Sequence, residues 1–128
     1  MSNTIKSSKT FSFVRDNQVR KQVPGKEFSI ATTSDLCPIT EQIVGTTHEL
    51  LAAGDVTDAA YCEIEVLHAT ATVSVGGDSG GSFVKWFDLK KGDPPAVMPR
   101  VGTLASTYLK SDTASTTVGI TLAKIVPP

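Results

Sequence analysis

A serine in a glycine-rich stretch, Ser79 within Gly77-Asp78-Ser79-Gly80-Gly81, and two histidines, His48 and His68, are the residues of this chain that could do covalent chemistry. A serine becomes a nucleophile when an imidazole takes its proton, a carboxylate orients that imidazole, and N–H groups hold the developing oxyanion. Asp78 and four glycines lie around Ser79 in VSVGGDSGGSF, residues 73–83, so the stretch raises the question of acyl transfer.

The letters GDSGG are those of the chymotrypsin-like serine proteases. That fold closes its site between two β-barrels and needs roughly 200 residues. This chain has 128, and its histidines precede Ser79 by 31 and 11 positions, closer than that family's chain order sets them. A loop of Gly, Asp and Ser is also what a turn between strands requires, because glycine takes positive φ freely and Asp and Ser bond nearby backbone groups. Ser79 is therefore expected in a turn spanning Gly76–Gly81, no catalytic residue is assigned, and the chain is expected not to be an enzyme.

Other constellations are no stronger. GGDSGGS lacks the lysine of a phosphate-binding loop. His48 with Glu49, or His68 with Glu65, supplies too few ligands for a metal, and Cys37 and Cys62 have no CxxC spacing. Both cysteines are expected as buried free thiols rather than a disulfide. Glu63 and Glu65 stand two apart, as paired carboxylates of a glycosidase could, but solvated charges on an exposed sheet face explain them equally well. No cofactor or metal is expected. Trp86 and Phe87 are adjacent, so on a two-layer sheet one of them faces away from the core, toward a partner or ligand.

The elements that position these residues read as short strands. TFSFV at 10–14 alternates, Val23-Pro24-Gly25-Lys26 is a turn signal, and EFSIAT at 27–32 follows. In ITEQIVGTTHELLAA, residues 39–53, HELLAA favours helix, but Gly45, Thr46 and Thr47 oppose it. The expectation is a strand over 40–46 and a turn or single helical turn over 47–54. Tyr61–Leu67 sets Cys62, Ile64 and Val66 against Glu63 and Glu65, giving one core face and one solvent face. Val73 and Val75, then Ser82–Leu89, Pro95–Val101, Ser106–Lys110 and Thr116–Val126 complete the strands, with KKGDPP at 90–95 as a turn. Short strands punctuated by Gly, Pro, Asp and Ser predict an all-β chain, a single-domain β-sandwich or jelly-roll-like barrel with an N-terminal arm or hairpin. The arm is drawn at residues 1–27 and the β-sandwich domain at 28–128.

Charge divides at the same place. Residues 1–27 hold Lys6, Lys9, Arg15, Arg20, Lys21 and Lys26 against two acidic residues, a net of +4. The remainder holds six basic against eleven acidic residues, a net of −5. A basic segment on an acidic body is expected either to lie against an acidic neighbouring surface, rather than nucleic acid, or to be a solvated hairpin whose lysines maintain solubility; on the first reading those six cations, with Trp86, are the candidate partner contacts. No apolar run approaches the roughly 20 residues that span a bilayer, and MSNTIKSSKTF lacks the apolar core of a secretory signal, so neither a membrane partner nor export by that route is expected.

The second half, YCEIEVLHATATVSVGG followed by GGSFVKWFDLKKGDPPAVMPR and STYLKSDTASTTVGITLAKI, resembles small β proteins encoded among the structural genes of tailed bacteriophages and prophages. The resemblance rests on Val73, Val75 and Gly76; on Phe83, Leu89 and Gly92; on Tyr108, Lys110 and Ser111; and on the closing strand Thr117–Ile125. VGTTHELLAAGDV fits the same pattern, whereas Pro94-Pro95 departs from it. The resemblance covers residues 39–126, its motifs are structural, and it transfers no catalytic residue. It implies a virion component, assembled in the host cytoplasm, whose partners are copies of itself and other capsid or tail proteins. An accessory capsid or head-surface (decoration-type) protein is the favoured role. A tail-associated component, or a carbohydrate or host-receptor binding module using Trp86 or Tyr108, is the alternative.

Overall fold

The computed structural model of the chain describes residues 3–56 and 58–126, and leaves the side chains of residues 11, 24, 26, 28, 58–59, 99–103 and 105 outside the description. Among the described residues it is all-β: ten strands in three sheets, with one 3-10 turn at Leu104–Ser106. Two compact units divide the chain, residues 1–34 with 126–128, and residues 35–125.

The first unit is a long antiparallel hairpin of β1 (Asn3–Arg15) and β2 (Gln18–Thr32). Its turn is Asp16-Asn17, with φ of 53° and 60°. Both residue types tolerate the left-handed region, and two successive positive φ values match the twist of the flanking strands. The turn expected at Val23–Lys26 is thus corrected: Pro24 and Gly25 lie inside β2, where Lys9 pairs Lys26 and Phe11 pairs Val23, so two residues face Thr10 alone. A bulge is where a strand accommodates proline, which has no N–H for the ladder. A Cβ on Gly25 would stand 2.8 Å from Thr10 Oγ1, so a larger residue there would make the Thr10 side chain turn away. The run at 10–14 does not face the run at 27–32; Glu27–Thr32 pairs with Asn3–Ser8. The boundary drawn from charge at residue 27 falls inside β2. Thr32 Oγ1 accepts the Val126 N–H at 2.9 Å, and Thr33 N–H donates to the Val126 carbonyl at 2.9 Å, so the hairpin's base carries the end of the chain.

The second unit holds β3 (Ile39–Val44), β4 (Glu49–Leu50), β5 (Asp58–Val66), β6 (Thr72–Ser79), β7 (Ser82–Lys90), β8 (Ala96–Thr103), β9 (Tyr108–Ser111) and β10 (Thr116–Lys124). They form two four-stranded antiparallel sheets, ordered β3-β10-β5-β8 and β4-β9-β6-β7. The first of these strands pairs with the last, the second with the seventh, the third with the sixth, and the fourth with the fifth. Two further pairings, β10 with β5 and β9 with β6, close each sheet.

Alternation explains the core. Cys62, Ile64 and Val66 of β5, and Val118, Ile120 and Leu122 of β10, face inward from the first sheet; Val73 and Val75, Leu89 and Leu109 face inward from the second. With Val44, Leu51, Val56 and Leu104 they form one apolar cluster. The turn or single helical turn expected over 47–54 is corrected: Glu49 and Leu50 form a short strand that pairs with Leu109 and Tyr108. Gln42 fixes the segment at the end of β4, its carbonyl oxygen accepting the Ala52 N–H at 2.8 Å while Nε2 donates to the Leu50 carbonyl at 2.9 Å. Cys62 is buried as expected, and burial pushes its thiol up to about 12; Cys37 is exposed, contrary to expectation. It sits in the connection before β3, outside the alternation that buries Cys62.

Candidate interaction surfaces

The GDSGG stretch shortens to a tight turn. Glycines 80 and 81 alone turn the chain, with φ of 60° and 91°, and Ser79 pairs directly with Ser82 as the last residue of β6. Gly76 and Gly77 belong to the strand, not to the turn expected over 76–81. Gly76 has a packing reason: a Cβ there would meet the Val84 carbonyl oxygen at 2.0 Å. The register explains this close approach, because Val75 pairs with Phe87 and Gly76 with Lys85, leaving Trp86 as a bulge.

Asp78 has the partner that its sequence context concealed. His48, thirty positions earlier, places Nε2 2.6 Å from Asp78 Oδ2, and the other carboxylate oxygen accepts the Gly81 N–H at 2.9 Å. The His48 ring packs at 5.6 Å from the Phe83 ring and 5.3 Å from the Tyr108 ring. Hydrogen bonding from His48 and then from Gly81 holds the Asp78 carboxyl below its usual range. Phe83 is the cross-strand partner of Asp78, so His48, Asp78 and Phe83 gather on one face. Strand alternation turns Ser79 to the other face. The imidazole and carboxylate therefore clamp the turn from the side opposite the serine. His68 accepts the Thr70 and Ala71 N–H groups at Nδ1, at 3.3 and 3.1 Å, and so closes its own loop. Among the described residues no group of three or more His, Cys, Asp or Glu side chains could hold a metal.

The outer face of the second sheet carries a shallow cleft of about 520 Å³, with Thr72, Ser74, Phe83, Lys85, Asp88 and Lys110 along it. Its polar groups bond one another: Asp88 accepts from Ser74 and from Lys85, and Asp112 accepts the Thr72 N–H. Those bonds, from Ser74 first, lower the Asp88 carboxyl; the Thr72 N–H does the same for Asp112. Trp86 is 54% exposed at the bulge, whereas Phe87 packs against the core, which resolves which of the adjacent aromatics turns away. A Cβ at Gly77 would lie 3.3 Å from the Trp86 ring, so the indole covers backbone.

The outer face of the first sheet differs in charge. Glu41 of β3 and Glu65 of β5 both register with Gly119 of β10, so a residue without a side chain separates two carboxylates along one row. With Glu63, Leu67, Ile39 and Thr121 they line a trough of about 190 Å³. β3 is an edge strand, and its outward Ile39 and Ile43 are 77% and 68% exposed. Glutamates 63 and 65 are legible as outward charges, but nothing in the sequence shows that Glu41 shares the row of Glu65.

The six cations singled out by charge are spread along the two strands of the hairpin. Lys6, Lys9, Arg15, Arg20 and Lys21 are exposed, and the Lys26 side chain lies outside the described residues. Lys6 pairs loosely with Glu27 at 3.8 Å and Arg15 with Asp16 at 3.9 Å. Lys9, Arg20 and Lys21 stand outside the ion pairs of the described residues. Arg20 is extra in a second bulge, since Phe13 pairs Lys21 and Val14 pairs Val19. Beside these cations lie exposed apolar side chains: Phe13, Val14, Val19 and Val23. No known protein family, curated protein or solved structure matches this chain.

Proposed function

We propose that the chain is a non-enzymatic structural protein of a bacteriophage virion, an accessory protein of the capsid surface, and that residues 35–125 form a β-sandwich of jelly-roll type. The strand pairing carries the reading. Pairing first with eighth, second with seventh, third with sixth and fourth with fifth is the outcome of rolling up one long two-stranded ribbon. The two closing pairings, third with eighth and fourth with seventh, are those the rolling creates. This arrangement recurs in viral capsid domains, and also in lectins and cupins. The sequence resemblance, the basic hairpin and the internally satisfied bonding of the His48–Asp78 pair favour the capsid member of that set. Its partners are neighbouring virion proteins and further copies of this chain, reached through the hairpin cations and Trp86.

The test is purification of particles from host cells that express the chain, followed by imaging of its position. The expected outcome is a stoichiometric component on the particle surface. Absence from purified particles, together with a failure to bind any capsid or tail protein in solution, overturns the proposal.

A further inference from the structure

We infer that the acidic outer face formed by β3, β10 and β5 is the docking site for the basic hairpin of a second copy of this chain. The inference deepens the assembly reading, on which it rests only in expecting many copies close together, and it names the acceptor surface.

The hairpin unit carries +4 and residues 35–125 carry −5, so the two units attract across copies. The acidic side has a defined shape. β3, residues 61–67 and residues 116–121 contain no lysine or arginine, while Glu41, Glu63 and Glu65 project from their outer face. Glu41 and Glu65 stand two strand spacings apart, about 9.6 Å between backbones, with Gly119 between them. Leu67 packs over Gly119 and keeps the row low, and a lysine laid across that trough would bring its ammonium between the two carboxylates.

The hairpin presents the complementary set. Lys9 and Phe13 share a face of β1, four residues or about 13 Å apart, and Phe13 registers with Lys21, which shares its face with Val23. One hairpin face therefore offers Lys9, Phe13, Lys21 and Val23 together. The acceptor offers the matching mixture, with Glu41 and Glu65 flanked by the exposed Ile39 and Ile43 of β3 and by Leu67. Apolar contact between Phe13 or Val23 and these isoleucines removes water from around the ion pairs, so that they count for more than surface pairs do. An edge strand with two exposed isoleucines also invites aggregation unless something covers it, and a hairpin from a neighbouring copy would cover it. Two copies can exchange hairpins reciprocally into a closed dimer, or pass them head to tail along a row.

Two charge-reversed chains test this. One carries Lys9→Glu with Lys21→Glu, the other Glu41→Lys with Glu65→Lys; all four positions are exposed, and circular dichroism checks that each variant folds. Should either misfold, Lys→Gln and Glu→Gln at the same positions replace them in the single-chain comparison. Analytical ultracentrifugation at low salt should show the native chain self-associating, with association falling as salt rises. Each reversed chain alone should associate at least about tenfold more weakly, a factor that corresponds to roughly 1.4 kcal/mol. An equimolar mixture of the two reversed chains should regain association, because each hairpin then meets an acceptor of opposite sign. A native chain that stays monomeric overturns the inference, including the case where its own hairpin occupies its own sheet. So does a reversed chain that associates as the native one does, or a mixture that fails to associate. Presence on particles is read separately: a particle-bound chain that fails these tests loses this acceptor site but keeps its virion role, and the converse result removes only the virion role.

Discussion

The hairpin and the eight-stranded unit obey the same period-2 rule and end with opposite surfaces. In residues 35–125, alternation delivers Ile64, Val118, Leu109 and Val75 to one shared interior, where each is fully buried. In the hairpin, strands of 13 and 15 residues alternate just as long, yet Phe13 and Val23 remain about half exposed. Alternation creates an apolar face; only a second layer makes it a core. A two-stranded ribbon is marginal by itself in water, and an apolar face without a second layer adds little to its stability.

The sharpest break in that comparison comes from removing one apolar side chain from each unit. Ile64→Ala leaves a cavity in the common core and should lower stability by about 2–5 kcal/mol. Phe13→Ala removes a half-exposed ring and should change the stability of the isolated chain by less than about 0.5 kcal/mol. Urea denaturation of both variants measures the difference. Comparable losses would mean that the hairpin face is already buried as a core, and the contrast would fail.

Glycines sharpen the contrast within the body. Gly76→Ala drives a Cβ toward the Val84 carbonyl oxygen, with only 2.0 Å of room, and neither strand can yield without breaking the ladder around the Trp86 bulge. A cost of roughly 1–3 kcal/mol is expected, read as a lower urea midpoint. Gly119→Ala meets Leu67 at 3.5 Å, an ordinary contact, and should leave the midpoint nearly unchanged. If Gly119→Ala also weakens self-association, the trough between Glu41 and Glu65 is being used.

How much of this was legible depended on distance along the chain. The strands of residues 61–67, 82–89 and 116–126 can be read because alternation is local, and Gly45 with its two threonines argues correctly against helix. The hairpin turn is misread because Pro24-Gly25 is a stronger turn signal than Asp16-Asn17, yet a bulge satisfies the same residues inside a strand. The pairing of β3 with β10 and the row Glu41-Gly119-Glu65 depend on how the sheets assemble, and no local pattern encodes that. His48 and Asp78 each invite chemistry alone, but thirty intervening positions hide their contact.

Acid should act on the body. The carboxyls of Asp78, Asp88 and Asp112 all lie below their usual range, so each is more acidic folded than unfolded. The sign comes from linkage: such a group stabilises the fold above its unfolded pKa, and the contribution is lost as pH falls through the folded value. Stability of the native chain should therefore hold above about pH 5 and decline progressively below about pH 4. Asp78→Asn removes one of the three contributions and should flatten that decline slightly, as followed by thermal melts from about pH 3 to pH 7. An equally steep decline in Asp78→Asn would mean that the His48 contact does not bias the Asp78 proton.

The smallest effect belongs to the residue that first invites a mechanism. Ser79 is exposed, pairs through its backbone with Ser82, and faces away from the side where His48 and Asp78 meet. Ser79→Ala should leave the melting temperature, the self-association and any particle binding unchanged within error. Asp78→Ala, one residue away, strips the acceptor from both His48 and Gly81 and should lower the melting temperature measurably. The ordering of these two neighbours separates a clamp from a catalytic site. A clamp needs the carboxylate and is indifferent to the hydroxyl, whereas acyl transfer would fail most completely when the hydroxyl is lost. Incubating native chain and Ser79→Ala with an activated ester decides it: a hydrolysis rate that depends on Ser79 would overturn the structural assignment of this turn.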